Sequence, residues 1–158
     1  DHRDLHLSLR RQRQMCIRDS YGMVCQMSGS TDQKLKDLLS DIIAVDNVLL
    51  IVKSNGATSE IRSNSLSIKQ KDQWITIGDN DGPCHMHVNH DMIKKAEFIM
   101  EEKPERTSFS VRFFDSNDER TLACFFTKMY DEKKNLLENR KKIYDNMLEK
   151  YGQRIEFT

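Results

Sequence analysis

Three histidines lie within six positions of one another in the segment Gly82–His90, which reads GPCHMHVNH. On a β-strand, His85 and His87 point to the same face, because successive side chains alternate between the two faces. His90 follows where the chain turns. Imidazole binds transition metals and also serves as an acid–base group near neutral pH. The trio therefore has four open interpretations: a divalent-metal site, an axial ligand to haem iron, a catalytic group, or an exposed strand face.

Other chemistry is sparse along the chain. The sequence holds no G-x-S-x-G, no P-loop, no G-x-G-x-x-G and no H-E-x-x-H. Asp79 and Asp81 are typical of a turn rather than a calcium loop, since the remaining ligand positions are missing. Cys84 and Cys124 are predicted to be buried, inert thiols. Arg112 gains a role only beside a ligand with carboxylates, which guanidinium groups bind in a bidentate manner.

Composition excludes several classes of protein. The chain has 158 residues with 25 basic against 25 acidic side chains, whereas proteins that bind nucleic-acid backbones usually carry a basic excess. The chain contains no run of 18 apolar residues, so its sequence predicts no membrane-spanning helix. Four cysteines are too few for a disulfide scaffold and favour a reduced, cytoplasmic protein. We expect no nucleic-acid partner and no membrane insertion.

The first 19 residues resemble a translated sequencing adapter. The mosaic-end codons ATG TGT ATA AGA GAC encode Met15–Asp19, and the bases before them, CGT CGG CAG CGT CAG, encode Arg10–Gln14. The upstream bases GAC CAC CGA GAT CTA CAC encode Asp1–His6 in the same frame. We therefore expect residues 1–20 to be a non-native, disordered segment and residues 21–158 to form a single domain. Without residues 1–19 the chain keeps 20 basic against 22 acidic side chains.

Hydrophobic periodicity predicts an α+β fold. Leu35, Leu38, Leu39 and Ile42 recur at helical spacing within residues 32–45. Short alternating segments with tight turns follow, including the hairpin signal Asn55-Gly56, and tight turns connect antiparallel neighbours. From Asp131 the pattern becomes helical and ends near Gly152. The prediction is one antiparallel sheet of about seven to eight strands, with an N-terminal helix and a long C-terminal helix.

From Val45 to about Glu149 the order of these segments resembles the HemS/ChuX/HutX-type cytosolic haem-utilisation proteins. The family's pattern has an extended V-x-x-I-V strand, a histidine-bearing strand, an aromatic S-V-x-F-F-D strand and an R-D-E helix start. The counterparts here are Val48–Val52, Trp74–Gly78, Gly82–His87, Glu97–Pro104, Ser110–Asp115, Phe125–Lys128 and Tyr130–Glu132.

The resemblance implies haem as the ligand, with a haem-ligating histidine at His87 and His85 as its near neighbour. With haem as the ligand, Arg112 becomes a candidate partner for its propionates, because guanidinium groups bind carboxylates. The family's R-P-F-M-G turn is replaced here by Lys103–Thr107, which keeps only the proline. The chain is one repeat long, so a family-like body requires a homodimer.

Three functional hypotheses follow. The first is a cytoplasmic haem-binding or haem-trafficking protein, a carrier rather than an enzyme, although haem degradation stays open. The second is a divalent transition-metal site built from His85, His87 and His90. The third is a non-catalytic, dimeric interaction domain, whose function would survive replacement of every histidine.

Overall fold

A computed structural model of the chain describes residues 31–157, so the predicted adapter-derived segment lies outside the described residues. Two α-helices, nine β-strands and one 3₁₀ turn make up this part of the chain. The elements are α1 (Thr31–Ala44), β1 (Val48–Lys53), β2 (Thr58–Arg62), β3 (Ile68–Lys71), β4 (Trp74–Gly78), β5 (His85–Asn89), the 3₁₀ turn (His90–Met92), β6 (Lys95–Glu102), β7 (Thr107–Phe114), β8 (Arg120–Phe126), α2 (Glu138–Tyr151) and β9 (Arg154–Glu156). The α+β class is therefore confirmed.

The strands form two antiparallel sheets rather than the single sheet expected. Six strands pair in the order β2-β1-β8-β7-β6-β9, and three pair in the order β3-β4-β5. Alternation predicts that a segment is a strand, but it does not say which edges pair. The short strand β9 follows α2 and pairs with β6, from Lys95↔Glu156 to Glu97↔Arg154. The three residues of β9 are too few to show the alternation of apolar and polar side chains that predicts a strand from sequence.

Helix α2 begins later than predicted. It starts at Glu138 instead of near Asp131, and Gly152 closes it with a positive φ of 80°, as expected of a residue after a helix. The Asp131 carboxylate accepts the backbone N–H groups of Lys133 and Asn135, each at 2.8 Å. This turn competes with helix formation, because a short acidic side chain offers the backbone an alternative set of hydrogen bonds.

The core is formed by one face of the six-stranded sheet, the helices, and Ile75, Ile77 and Val88 of the three-stranded sheet. Tyr144 of α2 is fully buried, with its ring centroid 5.2–5.5 Å from those of Phe98, Phe109 and Phe126. Along α1 the predicted apolar stripe is buried at Leu35, Leu38, Leu39 and Ile42. Neither described helix is long and apolar enough to cross a membrane.

The opposite face of the six-stranded sheet, here called the outer face, is half-exposed. Register alternation assigns Leu49, Ile51, Phe125 and Arg112 to this face. The described helices pack against the other face of this sheet, not against the outer face.

Candidate functional site

His85 and His87 lie on the same face of the three-stranded sheet, as alternation predicts. Both side chains are exposed, and their ring centroids are 5.1 Å apart. They belong to β5, which pairs only with β4 within its sheet. Two imidazoles therefore stand side by side on an edge strand.

Two neighbours orient the His87 imidazole. Thr76 is its partner across the β4–β5 pair, and its Oγ1 lies 3.0 Å from His87 Nδ1. The Trp74 ring approaches edge-on, with centroids 6.4 Å apart. When Nδ1 carries the proton and donates to Thr76, the Nε2 lone pair is free to bind a metal. The arrangement can thus present a pre-oriented nitrogen ligand.

Gly78 sets the start of the histidine strand. Its φ is +87°, and a Cβ built on it would lie 2.6 Å from the carbonyl oxygen of Cys84 and 3.2 Å from His85 Cα. Only glycine combines this backbone conformation with so close an approach. The β4–β5 connection is therefore shaped around the residue that pairs with His85.

His90 lies in a different environment from the other two histidines. Its side chain is only 9% exposed, and Nδ1 lies 3.3 Å from Asp32 Oδ1 and 3.1 Å from Asp91 Oδ1. Nε2 lies 3.2 Å from the carbonyl oxygen of Asp72. Across residues 31–157 no group of three or more His, Cys, Asp or Glu side chains is arranged to hold a metal ion. The structure gives no support to the predicted site of His85, His87 and His90.

Two cavities meet at Trp74 and His87. One of about 230 Å³ lies where the three-stranded sheet approaches the ends of β1 and β8. Its lining is Val52, Trp74, Met86, His87, Val88, Asn89, Met92, Ile93, Thr121 and Leu122. The second, of about 440 Å³, is lined by Lys71, Asp72, Trp74, Thr76, Asn80 and His87.

The first of these cavities, which we call the histidine cleft, has exposed apolar walls. Val52, Trp74 and Met92 are 37%, 42% and 55% exposed, although large apolar side chains are usually buried. Clustered exposed apolar residues often mark a binding site.

Arg112 lies outside both of these cavities. Its guanidinium group donates to Glu101 Oε2 at 2.7 Å and to Ser110 Oγ at 3.2 Å, and it stacks 5.8 Å from the Phe125 ring centroid. This ion pair lowers the pKa of Glu101. The side chain already has a carboxylate partner on the outer face.

The two described cysteines differ in exposure. Cys124 is fully buried, as predicted, and burial raises the pKa of its thiol. The prediction that Cys84 is buried is wrong, because it is exposed. It precedes β5, which begins at His85, and therefore lies in the β4–β5 connection instead of on the apolar face of a strand.

Sequence reasoning missed a further cavity, of about 270 Å³, on the outer face. Apolar side chains of β1 and β8 and three basic side chains line it, and we call it the basic cavity. Its members include Leu49, Ile51, Phe125, Lys103, Arg106 and Lys128. These residues come from three separate segments of the chain, the first of them more than 50 positions from the other two, so no local pattern signals the site.

Comparison with known proteins relates this architecture to a protein family and to solved structures. A protein-family model matches residues 36–153, which is well over half of the chain. The fold is similar to the crystal structure of ChuX, with a TM-score of 0.62, 15% identity, and coverage of 75% of this chain and 72% of that one. The chain belongs to the ChuX/HemS-like family.

Other solved structures of similar fold are of different length. A protein from Agrobacterium tumefaciens gives a TM-score of 0.60 at 20% identity, with 75% of this chain and 67% of that chain covered. Holo-PhuS, a haem-binding protein from Pseudomonas aeruginosa, gives 0.59 at 12% identity, with 72% of this chain but 32% of PhuS covered. This ChuX/HemS-like chain thus spans about a third of the length of PhuS. A search of curated proteins finds no match.

Proposed function

We propose that this ChuX/HemS-like chain binds haem reversibly, with His87 as the axial ligand to iron. One observation carries the proposal: His87 lies where two cavities meet, and Thr76 holds Nδ1 so that Nε2 can face a ligand. The name of one fold neighbour describes ChuX as a haem-binding protein, and that of another describes PhuS in the same way.

The residues of the histidine cleft suit a porphyrin. Val52, Met86 and Met92 offer apolar surface to the macrocycle, and burial of apolar surface favours association. Sites for small molecules commonly enclose about 300–1,000 Å³. The cleft holds about 230 Å³, so a porphyrin would also extend over the adjoining cavity of about 440 Å³.

His85 is the second candidate ligand. It stands 5.1 Å from His87, ring centroid to ring centroid, but it lines neither cavity. His85 thus lies beside the cavities, and no hydroxyl among the described residues holds its ring as Thr76 holds that of His87. Both observations favour His87 as the ligand.

We further propose a cytoplasmic carrier that acts as a homodimer. A carrier requires only reversible ligation and an apolar cleft, and both can be built from residues of β1, β4, β5, β8 and the 3₁₀ turn. Arg112 would contribute to propionate binding only after exchange of its Glu101 partner.

The test is a hemin titration of the purified chain, followed by the Soret band, with His87→Ala and the matched variant His85→Ala. We expect a stoichiometric, shifted band whose affinity falls by about tenfold or more in H87A and by less than about threefold in H85A. A larger loss in H85A would transfer the ligand role to His85. A spectrum equal to that of free hemin would overturn the proposal and favour the interaction domain.

A further inference from the structure

One imidazole of the exposed pair on β5 has no part in the proposed haem ligation. His85 and His87 lie together on the exposed face of the three-stranded sheet. The other face of this sheet is buried, as at Ile75 and Ile77 of β4. The two ring centroids are 5.1 Å apart, with the ring planes at 67°. Imidazole nitrogen is a good ligand for divalent transition metals, so the pair has the chemistry of a metal chelate.

The separation of the two rings matches a tetrahedral metal ion. A zinc–nitrogen bond of about 2.1 Å puts the centroid of each ligating ring about 3.2 Å from the metal, and the tetrahedral angle then puts the two centroids about 5.2 Å apart. The right angle of an octahedral or square-planar ion would bring them to about 4.5 Å. The observed 5.1 Å between His85 and His87 therefore favours zinc over copper or nickel.

Both histidines are held on paired backbone. The β4–β5 register sets Gly78 opposite His85 and Thr76 opposite His87. Thr76 Oγ1 lies 3.0 Å from His87 Nδ1, and a contact of this kind fixes the orientation of a metal ligand. A Cβ on Gly78 would lie 3.2 Å from His85 Cα, so the backbone of the other ligand is closely confined. Sites built on strands hold their ligands more precisely than sites built on loops.

The surroundings of the pair leave space for further ligands without adding net charge. The cavity of about 440 Å³ beside His87 is lined by one cation, Lys71, and one anion, Asp72. Its size leaves room for the water molecules that complete a zinc site with few protein ligands. His90 is not available as a third imidazole, because its Nδ1 faces two carboxylates and its Nε2 faces a carbonyl oxygen.

We propose that His85 and His87 together bind one Zn²⁺ ion, with water in the remaining positions of the tetrahedron. Because the two side chains share one strand, binding of the first nitrogen holds the second close to the metal, where it adds affinity. The inference goes beyond haem binding and does not rest on it. It makes His87 the group for which zinc and haem compete, and His85 the group that serves zinc alone.

Zinc, titrated calorimetrically into the reduced full chain, tests the proposal with His85→Ala and His87→Ala. We expect each variant to lose affinity by about a hundredfold, the lower end of the gain from linking two binding groups. Cobalt(II) is the second probe, because it absorbs visible light much more strongly in tetrahedral than in octahedral coordination. We expect its tetrahedral bands to weaken in both variants. The histidines and cysteines of residues 1–30 are present in every variant, so the differences report on residues 85 and 87.

Cys84→Ser and His90→Asn are the matched controls, because each removes a neighbouring metal-binding group and leaves the pair intact. We expect zinc affinity to change by less than about twofold in either control, with circular dichroism establishing that both are folded. A loss in a folded control as large as that in H85A would overturn the site of two imidazoles. Zinc affinity that is unchanged in H85A or in H87A would overturn it as well.

The H85A variant separates this inference from the proposed function. It should weaken zinc binding about a hundredfold, yet change hemin affinity by less than about threefold. Zinc binding that depends on both histidines supports the inference even where hemin fails to bind. Hemin binding that depends on His87, with zinc binding that depends on neither histidine, would overturn the zinc site and leave the haem proposal intact.

Discussion

The hydroxyl of Thr76 is the one polar group that holds His87 Nδ1 among the described residues. Replacing it in Thr76→Val keeps the shape but leaves the imidazole free to rotate and change tautomer. We expect hemin affinity to fall by about tenfold, the lower end of the range for groups that orient metal ligands. Thr121→Val is the control, since Thr121 lines the same cleft but donates to the Phe113 carbonyl oxygen. Equal Soret titrations for the two variants would contradict this role.

Substitution of Gly78 tests whether the backbone at the start of β5 is as constrained as the geometry indicates. In Gly78→Ala the new Cβ meets the Cys84 carbonyl oxygen at 2.6 Å, and the residue must hold a φ of +87°. We expect a loss of about 2–3 kcal/mol in the free energy of unfolding, measured in urea. Gly56→Ala serves as the control, because nothing lies within 4 Å of its added Cβ. A change of similar size at both sites would show that Gly78 is not specifically required.

Alternation along a strand was sufficient to predict that His85 and His87 share a face. It could not place His90, because a 3₁₀ turn begins there and Asp32 of a distant helix faces its ring. Nor could it find Thr76, whose contact with His87 depends on the β4–β5 register. Side-chain direction within an element was predictable, whereas contacts between elements were not.

At the scale of elements, the two helices are joined by a polar contact between titratable groups. Lys150 and Tyr151 of α2 both bond Asp41 of α1, at 2.6 and 2.7 Å. Burial, and then the bond to Asp41, raises the pKa of Tyr151 to about 12 from 10.0. The bond to Asp41 also raises the pKa of Lys150.

Because both pKa values are raised in the folded state, the unfolded chain loses the protons of Lys150 and Tyr151 at lower pH than the folded chain does. The contribution of this contact to the free energy of unfolding is therefore complete below pH ~10 and falls as the pH rises towards about 12. Tyr151→Phe removes one of the two groups. We expect the variant to lose about 1 kcal/mol at pH 8 and to show a shallower decline between pH 10 and 12. Urea unfolding at several pH values measures both effects, and an unchanged slope would contradict the assignment.

Most elements were predictable where local pattern and local turn chemistry agree. Helix α1 and the β1–β2 hairpin at Asn55-Gly56 follow from spacing and turn residues alone. The start of α2 was not predicted, because the Asp131 side chain caps a turn where apolar spacing favours a helix. Division into two sheets depends on pairing between distant segments, which no local window contains.

At the scale of the whole molecule, the two named cavities lie on different sheets. The histidine cleft belongs mainly to the three-stranded sheet, and the basic cavity belongs to the outer face of the six-stranded one. Only the first was signalled by a cluster in sequence. The second arises from folding, since Leu49 and Phe125 become neighbours through the β1–β8 pairing.

If residues 1–19 are adapter-derived, their removal should leave the fold and both cavities unaffected. We expect the shortened chain to match the full chain within about 0.5 kcal/mol in free energy of unfolding, the usual limit for changes outside the core. Hemin affinities of the two chains should agree within about twofold. Loss of stability or of hemin binding on deletion would instead give the arginine-rich segment a structural role, and the adapter hypothesis would then be wrong.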